Sequence, residues 1–137
     1  MFIAKKSIIG IIKLAGIIST ESRLGSRGGL NLNDLSDSIT KAFSFKNIKA
    51  IVLLVNSPGG SPVQSALIAN RIRDLAKEKE IPVYCFIEDL AASGGYWLSC
   101  AADKIYAMES SIIGSIGVIT SGFGAVEAIK KIGIERR

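Results

Sequence analysis

Ala50-Ile51-Val52-Leu53-Leu54-Val55 is an unbroken apolar run of strand length that ends in Asn56-Ser57-Pro58-Gly59-Gly60 and leads straight into a helix start. Continuous rather than alternating apolarity suits a strand covered on both faces, as in a parallel sheet. Proline and glycine stop the strand. Ser61 then reads as an N-cap, Pro62 as the first helical residue, and Gln64 as the partner that closes a capping box. The helix is expected to run to about Lys79, with Val63, Ala66, Ala69, Ile72, Leu75 and Ala76 on its core face.

The same alternation extends along the chain. Residues 7–18 are rich in β-branched side chains and read as an opening strand. Glu21 to Gly29, with its Gly, Ser and Arg, reads as a mobile loop. Leu32, Leu35, Ile39 and Phe43 recur at helical spacing and predict a short amphipathic helix. Pro82 to Ile87 reads as a strand, and a helix starting near Ser93 carries Tyr96, Trp97 and Cys100. Lys104 to Met108 reads as a short strand, Ile112 to Ile119 as an extended, glycine-punctuated segment, and Ala125 to Ile132 as a last helix. Alternating strands and helices predict one α/β domain over residues 1–137, built on a mainly parallel sheet.

Composition narrows the function. No stretch reaches the ~18 apolar residues of a membrane-spanning helix. The start, Ile8-Ile9-Gly10-Ile11-Ile12, is cut at Lys13 and has no export signal's cleavage site, so neither anchor nor leader is expected. The net charge of +5 comes from dispersed Lys and Arg, without a basic stripe interleaved with aromatics, which argues against nucleic acid. Cys85 and Cys100 lie in apolar contexts and read as buried thiols rather than a disulfide. There is no histidine. A Ser-His-Asp triad or a Cys-His pair is therefore excluded within the chain, and zinc loses its commonest nitrogen ligand.

Two glycine-rich turns sit at strand-to-helix junctions: Ser57-Pro58-Gly59-Gly60-Ser61 and Ala91-Ala92-Ser93-Gly94-Gly95-Tyr96. In a parallel α/β sheet such junctions line the carboxyl edge, where ligands bind. Unpaired amides at a helix start can stabilise an oxyanion. Both turns can equally be plain helix entries, with Ser61 a cap and Gly94 a packing glycine. Ser93 stands apart, because small neighbours clear space around its hydroxyl. The arrangement is like the strand-turn-helix elbow of serine hydrolases, with Ala91 where that motif has glycine. Without histidine, such a serine needs a lysine kept unprotonated by desolvation.

Asn56-Ser57-Pro58-Gly59-Gly60, Ala91-Ala92-Ser93-Gly94-Gly95-Tyr96, Ala101-Ala102-Asp103-Lys104-Ile105 and Gly114-Ser115-Ile116-Gly117-Val118, taken in order, resemble peptidase family S49, the signal-peptide-peptidase-A and protease-sohB group. The resemblance runs from about Gly10 onward. It implies a Clp protease/crotonase-like α/β fold, a mainly parallel twisted sheet with flanking helices. It implies a bacterial serine endopeptidase with a Ser-Lys dyad, acting on signal peptides or other unfolded apolar peptides. Ser93 matches the nucleophile, and the amides of Gly60 and Gly94 match the oxyanion hole. Gly114, Ser115, Ile116 and Gly117 match the strand that pairs with substrate, with Gly59 and Ser61 at the border of the same cleft. No metal or cofactor is implied. A homo-oligomer is, and membrane association stays open although no anchor is visible.

The family's base lysine lies downstream of the helix at 125–132, so the resemblance places it beyond Arg137 and makes the chain a domain truncated at its C-terminal end. Lys104, Lys130 and Lys131 do not match that position. The rival readings are a catalytically incomplete assembly or peptide-binding module and a crotonase-like acyl-CoA enzyme. Against the second, neither glycine turn carries an acidic residue.

Overall fold

The computed structural model describes residues 6–20, 29–117 and 131–133. Its elements are β1 (Ile8–Ala15), α1 (Leu32–Ser44), β2 (Ile48–Ser57), α2 (Pro62–Lys79), β3 (Val83–Ala92), α3 (Gly94–Ser99), β4 (Lys104–Ala107) and β5 (Ile112–Gly114). The strands stand in the order β1-β2-β3-β4, and β5 pairs with the far end of β3. Every pairing is parallel. Parallel neighbours need a crossover, and α1, α2 and α3 provide those that join β1 to β2, β2 to β3 and β3 to β4.

The helices share one side of the sheet. Ile12 and Leu14 of β1, Ile51, Leu53 and Val55 of β2, and Val83, Cys85 and Ile87 of β3 join Ile39, Phe43, Ile68, Ile72, Leu75 and Leu98 from the helices in one core. The other side is barer. On β2, fully buried residues alternate with half-buried Val52, Leu54 and Asn56, so the expectation of a strand covered on both faces holds for one face only. Ile9 and Ile11 of β1, Phe86 of β3 and Tyr106 of β4 are exposed on the barer face. Phe86 and Tyr106 are register partners whose stacked rings lie 5.0 Å apart.

Local chemistry explains the helix starts. Asn31 caps α1 by accepting the Asp34 amide at 2.9 Å. Ser61 caps α2, accepting the Gln64 amide at 3.3 Å. The reciprocal half of the expected capping box is absent, because the Gln64 side chain instead accepts the Leu32 amide at 2.9 Å and ties α2 to the start of α1. The core face of α2 also differs from expectation. It is Ser65, Ile68, Ala69, Ile72 and Leu75, whereas Val63 is 64% exposed. In the first turn Ser65 tucks its hydroxyl onto the Ser61 carbonyl at 2.8 Å.

β3 runs on to Ala92, beyond the expected end at Ile87, because its far part pairs with β5 through Leu90–Ile112, Ala91–Ile113 and Ala92–Gly114. Both cysteines are free. Cys85 is buried as expected, but Cys100 is exposed, since it closes the short α3 on the side away from the core. The loop at 21–28, most of the last helix at 125–132, and Val118 and Ile119 lie outside the described residues.

Candidate active site

β2 and β3 are adjacent and parallel, so their carboxyl ends, and the glycine turns that follow them, come out side by side. Gly59 is buried directly against the second turn. A β-carbon on it would stand 2.7 Å from the Ala92 carbonyl oxygen and the Gly94 amide nitrogen, and 3.0 Å from the Ser93 Cβ. Its φ of +93° adds a second reason for glycine. Gly60 is held from the other side. Ile18 donates its amide to the Gly59 carbonyl at 2.9 Å and accepts the Ser61 amide at 2.8 Å. A β-carbon on Gly60 would collide with the Ile18 carbonyl.

Ser93 is the N-cap of α3 in form but not in chemistry. Its φ and ψ are +51° and −118°, and its side chain makes no capping hydrogen bond. A non-glycine residue in that region is strained, at a cost of ~1–3 kcal/mol, and persists only where the surroundings hold it. They do so here through two hydrogen bonds: Ser93 donates its amide to the Gly114 carbonyl at 2.9 Å, and its own carbonyl accepts the Trp97 amide at 3.1 Å. The outcome is a half-buried hydroxyl, uncommitted to the helix, at the sheet's carboxyl edge. Gly94 opens α3, and the first amides of a helix have no partner within it.

A cavity of about 410 Å³ opens beside this hydroxyl, lined by Gly60, Pro62, Ser93, Gly94, Tyr96, Trp97, Cys100, Ile116 and Gly117. Of the residues singled out from the sequence, Ser93, Gly60, Gly94, Ile116 and Gly117 come together around it. Gly114 is tied to the Ser93 amide, while Gly59, Ser61 and the exposed Ser115 are not among the lining residues. Tyr96, Trp97 and Cys100 were not singled out as site residues. Their spacing of three, four and seven from Ser93 marks one helical face. Pro62, read only as a helix starter, also lines the wall.

Among the described residues the lining is apolar apart from the hydroxyls and thiol, with no lysine, carboxylate or other charged side chain. Lys104 stands exposed on β4, on the strand's opening residue, away from the carboxyl edge. Lys131 is exposed as well, and Lys130 lies outside the described residues. Among the described residues, no cluster of His, Cys, Asp or Glu is placed to hold a metal ion. Cys85, behind the site, has its thiol pKa raised chiefly by burial, with the nearby Cys100 adding to the rise and a hydrogen bond with Ser99 opposing it.

The architecture is the Clp protease-like α/β fold. A ClpP1 mutant from Listeria monocytogenes superimposes with a TM-score of 0.51 over 68% of this chain and 46% of that one, at 22% sequence identity. Residues 75–137 match the sequence model of peptidase family S49.

Named relatives extend the likeness upstream. The putative signal peptide peptidase SppA of Enterococcus faecium is 39% identical over 96% of this chain and 37% of its own length. Protease 4 of Haemophilus influenzae is 39% identical over 92% of this chain and 20% of its own. A Brucella melitensis protein named Na(+)/H(+) antiporter NhaA is 48% identical over 99% of this chain, which is 18% of that protein. The chain thus spans between 18% and 37% of these relatives. Among the described residues no helix is long and apolar enough to cross a membrane.

Proposed function

We propose that this chain carries the nucleophile and oxyanion hole of a serine endopeptidase. Ser93 Oγ attacks the scissile carbonyl carbon while a lysine outside this chain, from the same or a neighbouring subunit, takes its proton. The amides of Gly60 and Gly94 receive the developing oxyanion. The C–N bond then breaks, the lysine returns the proton to the leaving amine, and water cleaves the acyl ester to free Ser93. Donors fixed in advance at a developing charge are commonly the largest single source of such rate enhancement.

One observation carries this reading. Ser93, uncapped and in a strained conformation, packs its β-carbon against the Gly59–Gly60 turn at the carboxyl edge of the sheet. The apolar cavity beside it suits extended apolar peptides, spent signal peptides among them, held by backbone pairing along Gly114 to Gly117. The antiporter name belongs to a protein of which this chain spans 18%. We further infer a homo-oligomer whose Ser93 clefts face a shared interior, supported by the exposed apolar face of Ile9, Ile11, Phe86 and Tyr106.

The test uses the full-length protein and a fluorogenic apolar peptide. Turnover with a trapped acyl adduct on Ser93, both lost in Ser93→Ala, is expected. A second reading, a peptide-binding module, is favoured by the absence of lysine from the cavity wall among the described residues. Peptide binding without turnover by the full-length protein would select it.

A further inference from the structure

Ser57 was not distinguished from other serines by its sequence neighbours, but its position is unusual. It is 0% exposed at the end of β2. Its Oγ donates to the Gly16 carbonyl at 2.6 Å and accepts the Gly59 amide at 3.1 Å. One hydroxyl thereby joins the end of β1 to the turn that faces Ser93. A register shift between Val55 and Ser57 sets Ser57 opposite Ala91, at the level of the second turn. The start of α3 packs on the same residue, since a β-carbon on Gly95 would collide with the Ser57 carbonyl.

We propose that Ser57 is a positioning residue for the oxyanion hole: its hydroxyl fixes the Gly59 amide, and so the distance between the Gly60 and Gly94 donors. This rests on the peptidase reading above. Backbone bonds with Ile18 hold the Gly59 carbonyl and the Ser61 amide on one side of the turn. The Ser57 hydroxyl holds the Gly59 amide, which those bonds leave untied. A hydroxyl does so with both of its functions, donor downward and acceptor upward. Alanine removes both at once, and valine fills the volume while removing both. Threonine keeps the hydroxyl.

In the full-length protein, Ser57→Ala is expected to lower kcat about 10- to 100-fold, as small misplacements of catalytic groups do, with KM within about twofold. Ser57→Thr is expected to recover most of that kcat. Hydrogen exchange on the unsubstituted protein supplies a readout that needs no variant: the Gly59 amide is expected to be protected. Gly59 exchange at the rate of an open loop, or a Ser57→Ala kcat within about twofold of the parent while Ser93→Ala is inactive, overturns the proposal for Ser57 alone. Turnover that survives Ser93→Ala overturns the peptidase reading, and the role of Ser57 with it.

Discussion

Gly59 and Ser93 lie on different turns yet press against each other, with room for no side chain between them: a β-carbon on Gly59 would sit 3.0 Å from that of Ser93. The contact exists because β2 and β3 are register neighbours whose chains both turn into helices at the same edge. It sets the Gly59–Gly60 turn directly beside the uncapped Ser93.

Crowding at that contact makes Gly59→Ala a severe change. The added methyl meets the Ala92 carbonyl and the Gly94 amide, which are backbone atoms that cannot rotate away, and φ is +93°. A loss of about 2–4 kcal/mol in unfolding free energy is expected, in the range of strained or overpacked sites. Urea denaturation of the purified chain measures it, and a loss under 1 kcal/mol would contradict this packing.

Ser93 trades stability for exposure of its hydroxyl. Ser93→Gly relieves a φ of +51° at a residue without a capping bond, and a gain of about 1 kcal/mol is expected after the entropy cost of glycine in the unfolded chain. Ser93→Ala keeps the strain and gains nothing. Differential scanning calorimetry of both variants separates them: equal melting temperatures would mean that the backbone at Ser93 is unstrained.

Activity is expected to be absent from the 137-residue chain produced alone, since no lysine lines the cavity among the described residues. At most the residual ~10³- to 10⁴-fold enhancement over water that survives loss of a catalytic group elsewhere is expected. Comparison with the full-length protein on the same peptide decides. Full turnover by the short chain would point to a lysine within it.

The thiols predict a difference in reactivity and a dependence on pH. Cys100 is exposed and lines the cavity, so one equivalent of iodoacetamide is expected to label it in the folded state, while Cys85 reacts only on unfolding. The Cys85 pKa is raised above its ordinary value of 9.0, mainly by burial. Above that value the unfolded thiol ionises before the folded one does. The contribution is therefore complete below pH 9.0 and falls as pH rises through the folded-state pKa. Denaturation midpoints of the parent and Cys85→Ala between pH 7 and 10 give the readout: a parent midpoint that rises with pH relative to the variant contradicts the sign.

Assembly is the remaining expectation. Ile9, Ile11, Phe86 and Tyr106 leave one sheet face apolar and exposed, and such faces mark association. Light scattering of the full-length protein at micromolar concentration is expected to give a multiple of the subunit mass. A sharp monomer there would remove the shared interior from the proposal.

The order of elements was legible in the sequence because it rests on local physics. The apolar run at Ala50 to Val55, the cap at Ser61 and the helical spacing of Ile39 and Phe43 each act over a few residues, and the structure reproduces β2, α2 and α1 from them. The two glycine turns were legible for the same reason, as was the singular setting of Ser93. Relations between distant residues were not. Gln64 looked like half of a capping box until Leu32, across the fold, offered it an amide. Val63 looked like core until the packing of α2 turned it outward. Cys100 looked buried because its neighbours are apolar, yet α3 is too short to cover it. Ser57 looked like any other serine, since its hydroxyl meets Gly16, far away along the chain, only when β1 and β2 align. Sequence patterns encode which backbone a segment prefers; which side chain meets which backbone group is decided when the segments pack, because only then do the distances that govern hydrogen bonds and collisions exist.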